Sequence, residues 1–175
     1  IKFSKSKEIK KGRIIYCPPY TLISSFFKKF QNCLIDIGAQ NCHESDDYGA
    51  HTGFINSKML KNIGANYVII GHSENRDKGE TNNLINKKVK SALKANLRVI
   101  FCIGETLKEK NNGKTKSVLL KQIKKGLNQI SKKKNCFIAY EPVWSIGTGK
   151  VPKLRDLEET IKFIKNNFGK NKPKV

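Results

Sequence analysis

Residues 137–150 read FIAYEPVWSIGTGK, and this stretch joins a strand pattern to a distinctive loop. The first four residues are apolar and rich in β-favouring types, which predicts the end of a buried strand. Glu141 stands where the apolar run stops, and Pro142 fixes the backbone directly after it. The following loop holds Trp144 and is closed by Gly147 and Gly149. A carboxylate at a strand's C-terminal end, below a glycine-hinged loop, is typical of a base under a movable lid. A βα turn with a solvated glutamate is the simpler alternative.

Apolar runs with strand character alternate with amphipathic helical patterns on the N-terminal side of this stretch, and one more helical pattern follows it. The predicted strands are Arg13–Cys17, Leu34–Ala39, Tyr67–Gly71, Arg98–Ile103 and Asn135–Glu141. The predicted helices are Tyr20–Phe30, Ser57–Ile63, Glu80–Leu97, Thr115–Ser131 and Leu154–Phe168. This alternation of helices with apolar strands predicts an α/β fold built on a parallel sheet. Segments 1–12 and 172–175 are interpreted as the basic end of a helix and the start of a further strand.

Polar residues stand where the predicted strands end, which is where reactive groups gather in parallel α/β sheets. They are Gln40, Asn41, His72, Ser73, Glu74, Glu105 and Glu141. A helix start is predicted directly after His72, and its partly positive N-terminus favours a neutral imidazole. A carboxylate base and a neutral histidine are suited to removing a proton beside a carbonyl group. For His72 taken alone, a structural histidine at a strand end is the alternative.

Composition narrows the classes of protein to consider. The 175-residue chain carries a formal net charge of +21, which invites a polyanion-binding interpretation. Its lysines are scattered over predicted helix exteriors without interleaved aromatic residues, so specific nucleic-acid binding is not expected. Five cysteines without a CxxC pair indicate reduced thiols in a cytoplasmic protein. No transmembrane run, signal peptide pattern, dinucleotide-binding loop or Walker-type loop is visible.

Several motifs together resemble one enzyme family. YVIIGHSE (residues 67–74), CIGET (102–106) and AYEPVWSIGTGK (139–150) are similar to motifs of the triosephosphate isomerases, as are GAQNCH (38–43) and GAHTG (49–53). The resemblance covers essentially the whole chain. It implies a (β/α)₈ TIM barrel that is incomplete here, with five parallel strands and alternating helices. Residues 1–175 would form a single partial barrel domain, from the end of the family's first helix through its sixth.

The resemblance implies a role for each matching residue. Glu141 corresponds to the base that moves a proton between two carbons of a triose phosphate, and His72 to the neutral group that polarises the carbonyl. Ser73 and Glu74 correspond to their supporting residues. The segment 142–150 corresponds to the lid, with the Gly147 N–H as a phosphate contact.

The family resemblance also implies a partner subunit. The loop of residues 40–53 corresponds to the arm that enters the second subunit of a homodimer, with Gln40 and Asn41 at its base and Thr52 near the partner's site. The implied substrates are dihydroxyacetone phosphate and glyceraldehyde 3-phosphate, with no cofactor and no metal. The implied setting is glycolysis and gluconeogenesis in the cytoplasm.

The chain also departs from the family pattern. The Asn-x-Lys motif of the family's first strand and the glycine-rich phosphate loops of its last two strands have no counterpart here. These 175 residues on their own are therefore expected to be weakly active or inactive. Asn75 stands where arginine is usual and is expected to lose an ion pair. His51 replaces a frequent aromatic residue, and Pro152 is expected to stiffen the far hinge of the lid.

Two other functions remain open at the level of sequence. One is a non-catalytic, decayed barrel that binds polyanions through its basic surface, an interpretation that depends on the net charge of +21 and the missing strands. The other is a barrel isomerase for a larger sugar phosphate, which the combination of His72-Ser73-Glu74 with the motif after Glu141 disfavours.

Overall fold

A computed structural model describes residues 14–131, 135–168, 173 and 175. Within these residues, five parallel strands pair in the order in which they occur along the chain. The strands are β1 (Ile14–Tyr16), β2 (Ile35–Ala39), β3 (Tyr67–Ile70), β4 (Arg98–Ile103) and β5 (Cys136–Tyr140). A doubly wound sheet reverses its strand order at a switch point, whereas this sheet continues in one direction, as the wall of a barrel does.

Helices connect the strands and cover the sheet. They are α1 (Ile23–Phe30), α2 (Ser57–Asn62), α3 (Ser73–Asp77), α4 (Asn82–Lys94), α5 (Leu107–Asn111), α6 (Thr115–Gly126) and α7 (Leu154–Asn166). Short 3₁₀ helices occupy Tyr20–Leu22, directly before α1, and Val143–Ser145, after β5. The predicted order of strands and long helices is therefore observed.

The described part of the chain has a continuous apolar core between sheet and helices. Its buried members include Ile85, Val89 and Ala92 of α4, Leu119 and Ile123 of α6, Ile164 of α7, and Val68, Ile70, Val99, Phe101, Ile103 and Ile138 of the strands. Gly126 allows α6 to pack directly on β4, because a Cβ at this position would collide with the Phe101 ring. No helix of the described residues has both the length and the apolar character needed to cross a bilayer.

The prediction for α4 was too long at both ends. The helix begins after Thr81, whose side-chain oxygen accepts a hydrogen bond from the Leu84 N–H at 3.2 Å. With Thr81 as the N-cap, the helix starts at Asn82, two residues beyond the predicted start at Glu80. At the other end, Asn96 adopts a left-handed φ of 59°, which no helix interior allows. Leu97 therefore belongs to the turn before β4, although it is buried.

The prediction for α6 extended five residues too far, because burial continues after the helix has ended. Leu127 and Ile130 are buried as the apolar period predicted, yet α6 ends at Gly126. Gln129 has a φ of 55° and turns the chain toward β5. Similarly, α7 ends at Asn166 while Phe168 remains buried. An apolar period thus predicts which side chains face the core but not where the backbone stops being helical.

One helix was not predicted at all. Residues 107–111 form α5 directly after β4. Its N-terminus carries a capping box, in which Thr106 and Glu109 accept hydrogen bonds from each other's backbone N–H groups. The sequence pattern Thr-x-x-Glu was present, but the helix is too short to show an apolar period.

Parts of the expectations for the chain ends lie outside the described residues. They are the basic segment 1–12, Arg13 and Gly169. Of the strand start expected at residues 172–175, only Pro173 and Val175 are described, and neither is in a strand.

Candidate active site

The ends of β3 and β5 bring His72 and Glu141 together. Gly71 turns the chain after β3 with a φ of 79°, and His72 follows as the residue that caps α3. The Glu141 N–H bonds to the Ile103 carbonyl at 2.9 Å, continuing the β4–β5 pairing beyond the last strand residue. One carboxylate oxygen of Glu141 then lies 3.2 Å from His72 Nε2. The two side chains are thus in direct contact, 69 residues apart in the chain.

The second oxygen of the Glu141 carboxylate is held by α3. The Ser73 N–H donates to Glu141 Oε1 at 3.0 Å, so the start of this short helix faces the carboxylate. Burial raises the pKa of Glu141 above its ordinary value, while the Ser73 N–H, His72 and Arg76 oppose the shift. A carboxylate with a raised pKa is a stronger base than an exposed glutamate.

The hydrogen bonds around His72 fit one tautomer of the neutral ring. Its Nδ1 accepts a long hydrogen bond of 3.4 Å from the Glu74 N–H, as the cap of α3. An accepting Nδ1 leaves the proton on Nε2, which then donates toward Glu141. The same N–H is the group that could polarise a substrate carbonyl. Glu74 itself is largely exposed, with its carboxylate 4.0 Å from His72 Nδ1.

Arg76 is a supporting residue that no sequence motif indicated. Its guanidinium donates to the Gly71 carbonyl at 2.6 Å and to the Cys102 carbonyl at 3.0 Å, and it therefore ties the end of β3 to the end of β4. A third bond, of 2.8 Å, reaches Asn82 at the start of α4. The neighbouring Asn75 instead lines an open pocket of about 530 Å³ together with His72.

Glu105, at the end of β4, is buried and fully engaged. Its side chain is 1% exposed and accepts hydrogen bonds from the Tyr140 hydroxyl at 3.1 and 3.2 Å and from Trp144 Nε1 at 2.9 Å. Its backbone carbonyl accepts from the Val143 N–H at 3.1 Å. Burial, and then the neighbouring carboxylate of Glu105, raise the pKa of the Tyr140 phenol. Glu105 thus anchors the beginning of the loop after β5, a role that its position in the sequence did not indicate.

The loop of residues 142–150, termed the lid below, has two differently held halves. Residues 143–145 form the 3₁₀ helix fixed by Glu105, and the Ser145 N–H and hydroxyl both donate to the Pro142 carbonyl. Farther on, Gly147 and Gly149 have φ values of 67° and 71°, and a Cβ on either would meet no atom within 4 Å. Both positions therefore favour glycine because of the left-handed backbone and not because of steric crowding.

The base of the arm, residues 40–53, joins the same side of the sheet. Asn41 donates to the Glu80 carboxylate at 2.9 Å and accepts from Lys88 at 3.2 Å, within a buried Lys88–Glu80 ion pair. Gln40 donates to the Cys17 carbonyl at 3.2 Å. Both amides line the pocket that contains His72 and Glu74. Thr52, by contrast, is exposed and is not among the residues that line this pocket.

Two further kinds of chemistry find little support at this site. Among residues 14–131 and 135–168, no three metal-ligating side chains converge. The five cysteines are not joined in disulfides, and burial raises the pKa of Cys102, whose carbonyl bonds to Arg76, to about 12. A thiolate nucleophile is therefore disfavoured, and the groups available for proton transfer are the carboxylate of Glu141 and the imidazole of His72.

The fold and the contact between a carboxylate and an imidazole make this a candidate acid–base site at the strand ends of an α/β barrel. Comparison with known proteins gives the family. The family model described as triosephosphate isomerase matches residues 2–175. The chain is 46% identical over 166 residues to the triosephosphate isomerase of Dictyoglomus turgidum, covering 91% of this chain and 66% of the relative. It is 43% identical to that of Clostridium botulinum over 165 residues, covering 90% and 66%. The chain belongs to the triosephosphate isomerase family.

A solved structure agrees with this family and confirms the expected fold. The crystal structure of triosephosphate isomerase from Bartonella henselae superposes with a TM-score of 0.82 at 38% identity, covering 91% of this chain and 66% of that one. The five strands and their helices therefore form a partial TIM barrel. The chain spans slightly less than two thirds of the length of these relatives. No comparison supports the alternative of a decayed, polyanion-binding barrel.

Proposed function

We propose that the protein carrying this chain interconverts dihydroxyacetone phosphate and glyceraldehyde 3-phosphate. The observation that carries the proposal is the Glu141 carboxylate at 3.2 Å from His72 Nε2, at the carboxyl ends of two barrel strands and directly before the lid. Family membership makes triose phosphates the expected substrates. Localisation in the cytoplasm and a place in glycolysis and gluconeogenesis are part of the same proposal, and no cofactor or metal is expected.

The proposed reaction is a proton transfer between adjacent carbons. Glu141 removes a proton from C1 of dihydroxyacetone phosphate, and the electron pair of the broken C–H bond forms the enediolate double bond. His72 Nε2–H hydrogen-bonds to the C2 oxygen, where negative charge develops. The proton is then returned to C2, and a proton exchange between the two oxygens completes the aldehyde. Base and electrophile are both recovered, so the step balances without a further reactant.

Glu141 must turn before it can act on a substrate. Its two oxygens face the Ser73 N–H and the His72 ring. A substrate carbonyl that takes the His72 N–H frees one oxygen for the carbon acid. The raised pKa of Glu141, caused by burial, favours acceptance of that proton. Ser73 and Glu74 are proposed to support the pair by fixing its orientation at the start of α3.

The lid is proposed to close over the substrate phosphate. The backbone N–H of Gly147 is the proposed phosphate contact, since its left-handed conformation would be strained with any other residue. Closure would exclude water and hold the enediolate in a plane that disfavours loss of phosphate. Pro152, two residues beyond the lid, is proposed to limit the motion at that end.

A homodimer is part of the proposal. Tyr48 in the arm and Phe54 directly after it are exposed by 60% and 61%, which suits a segment that inserts into a second copy. Thr52 is proposed to lie near the partner's site, and Gln40 and Asn41 to hold the arm at its base. Sedimentation analysis of the natural protein should give a dimer that Phe54→Glu dissociates. A monomer at micromolar concentration, with full activity, would refute this part.

The activity is tested with the natural protein that carries this sequence. A coupled assay with either triose phosphate should show turnover, and in D₂O the product should acquire deuterium at carbon. Glu141→Gln should abolish both signals while the far-ultraviolet circular dichroism is kept. A folded protein that turns over pentose or hexose phosphates but not trioses would overturn the proposed substrate. The 175-residue polypeptide on its own is expected to be weakly active or inactive in the same assay.

A further inference from the structure

We propose that Lys110 is a positioning residue for the lid, acting through the face of the Trp144 indole. The Lys110 ammonium lies 3.5 Å from the centroid of the Trp144 ring. A cation over the face of tryptophan is the strongest of the aromatic cation–π arrangements. Lys110 does not reach His72 or Glu141, so its effect on the reaction would pass through the lid. The proposal rests on the lid having the function given above.

The contact with Lys110 completes a restraint that Glu105 alone leaves open. The Trp144 indole is bound at its edge, where Nε1–H donates to the buried Glu105 carboxylate. A hydrogen bond at the edge allows the ring to tilt about the bond axis. The ammonium on the ring face opposes that tilt, so that edge and face together fix the indole. Since Trp144 is the middle residue of the 3₁₀ helix, its orientation sets the direction in which the lid leaves β5.

The chain places Lys110 at this face by local structure. Thr106, the residue after Glu105, forms a capping box with Glu109 at the start of α5, and the Lys110 N–H bonds to the Thr106 carbonyl at 3.0 Å. One short segment therefore supplies both the carboxylate for the indole edge and the ammonium for its face. Lys108, on the same helix, is exposed and offers a matched control.

Space beside the indole makes the restraint necessary. A pocket of about 340 Å³ is lined by Trp144 and Lys110 together with residues of α6 and α7, among them Lys116, Asp156 and Thr160. Without the ammonium the ring could tilt toward this space. The far half of the lid would then start from a shifted position, and fewer molecules would hold the Gly147 N–H where the phosphate needs it.

Fluorescence of Trp144 in the natural protein gives a direct test, with a Trp144→Phe version as the blank. Lys110→Met should raise the acrylamide quenching constant about twofold, because the indole face is uncovered. Lys110→Arg should restore the wild-type value, since arginine also stacks on indole. Lys108→Met should leave it unchanged. Circular dichroism of each variant checks that the fold is kept.

Steady-state kinetics on the same variants test the effect on the lid. Lys110→Met should lower kcat/KM by about three- to tenfold, and Lys110→Arg should recover most of it. A folded Lys110→Met protein with wild-type quenching and kinetics would overturn the proposal, as would equal effects of Lys108→Met. If the wild-type protein has no isomerase activity, the proposed function fails, whereas the quenching result still decides whether Lys110 positions Trp144.

Discussion

Two neighbouring strand ends each carry a glutamate, and their surroundings separate their properties. Glu105, after β4, is 1% exposed and accepts hydrogen bonds from the Tyr140 hydroxyl and the Trp144 indole. Glu141, after β5, has a side chain that is 20% exposed and faces an imidazole on one oxygen. Both carboxylate oxygens of Glu105 accept hydrogen bonds from neutral donors. Glu141 faces a group that can exchange protons and lies beside the lid. The hydrogen-bond partners and the exposure of each carboxylate, rather than the type of side chain, distinguish the anchor from the candidate base.

The largest expected effect on activity is at Glu141, the candidate base. Glu141→Gln should lower kcat by about 10³-fold, since the amide cannot accept the carbon proton. Its thermal stability should be equal to or slightly above that of the wild type, because a carboxylate whose pKa is raised by burial is costly to ionise. Coupled assays and thermal melts measure the two quantities. Glu158→Gln, at an exposed position of α7, is the matched control and should change neither. Equal kcat values for Glu141→Gln and wild type would remove the distinction between the two glutamates.

The partner of Glu141 should have the next largest effect. His72→Gln should lower kcat by about 10²-fold, because an amide can still donate a hydrogen bond but cannot transfer a proton between the substrate oxygens. Removing the imidazole should also raise the pKa of Glu141 further, since His72 opposes the upward shift. The pH dependence of kcat/KM measures that change. A fall of less than threefold in kcat would indicate a purely structural histidine.

Replacement of Glu105, the anchor of the lid, should change the stability of the fold. Glu105→Ala should lower the free energy of unfolding by about 2–4 kcal/mol, because the Tyr140 hydroxyl and the Trp144 N–H lose their buried acceptor. Glu105→Gln should cost about half as much, since its carbonyl can still accept one of these bonds. Urea denaturation followed by circular dichroism gives both values. A Glu105→Ala protein as stable as the wild type would show that these bonds do not anchor the lid.

The smallest expected effect is a shift along the pH axis. Because burial raises the pKa of Glu141 above its ordinary value, kcat/KM should begin to fall at a higher pH than for an exposed glutamate. Below that pKa the base is protonated, so activity should fall tenfold for each further pH unit. The sign for stability is opposite: the folded state binds this proton more tightly, so acidification through the folded pKa should stabilise it. Glu141→Gln should lose this component, and an unchanged pH profile of stability would contradict it.

Much of the fold could be predicted because the buried residues of a strand or helix recur with a regular period in the sequence. Apolar runs marked all five strands, and a period near 3.6 marked α4, α6 and α7. The ends of helices were less predictable, since Leu97, Leu127 and Ile130 stay buried after their helices have ended. Left-handed residues such as Asn96 and Gln129 decide those ends, and an apolar pattern does not show them. The short helix α5 was not predicted, because it turns too few residues toward the core to show an apolar period.

The candidate site was predictable in part. The strand-end rule brought His72 and Glu141 to the same edge, and their contact is observed, although their roles remain predictions. Arg76 and Lys110 were not predicted, because each contacts a segment that is far away in the chain. In a chain with 35 lysines and arginines, no local pattern separates these two from the others.

The sequence by itself determined that strands and helices alternate, that polar groups stand where strands end, and that a glycine-hinged loop follows Glu141. These features follow from local propensity and periodic burial, which neighbouring residues record. Only the tertiary structure showed that Glu105 anchors the lid and how its surroundings differ from those of Glu141, the candidate base. Both follow an apolar run in the same way. The donors around Glu105 come from Tyr140 and Trp144, and those around Glu141 come from His72 and Ser73 at the start of α3. Such differences in environment exist only once the strands lie side by side.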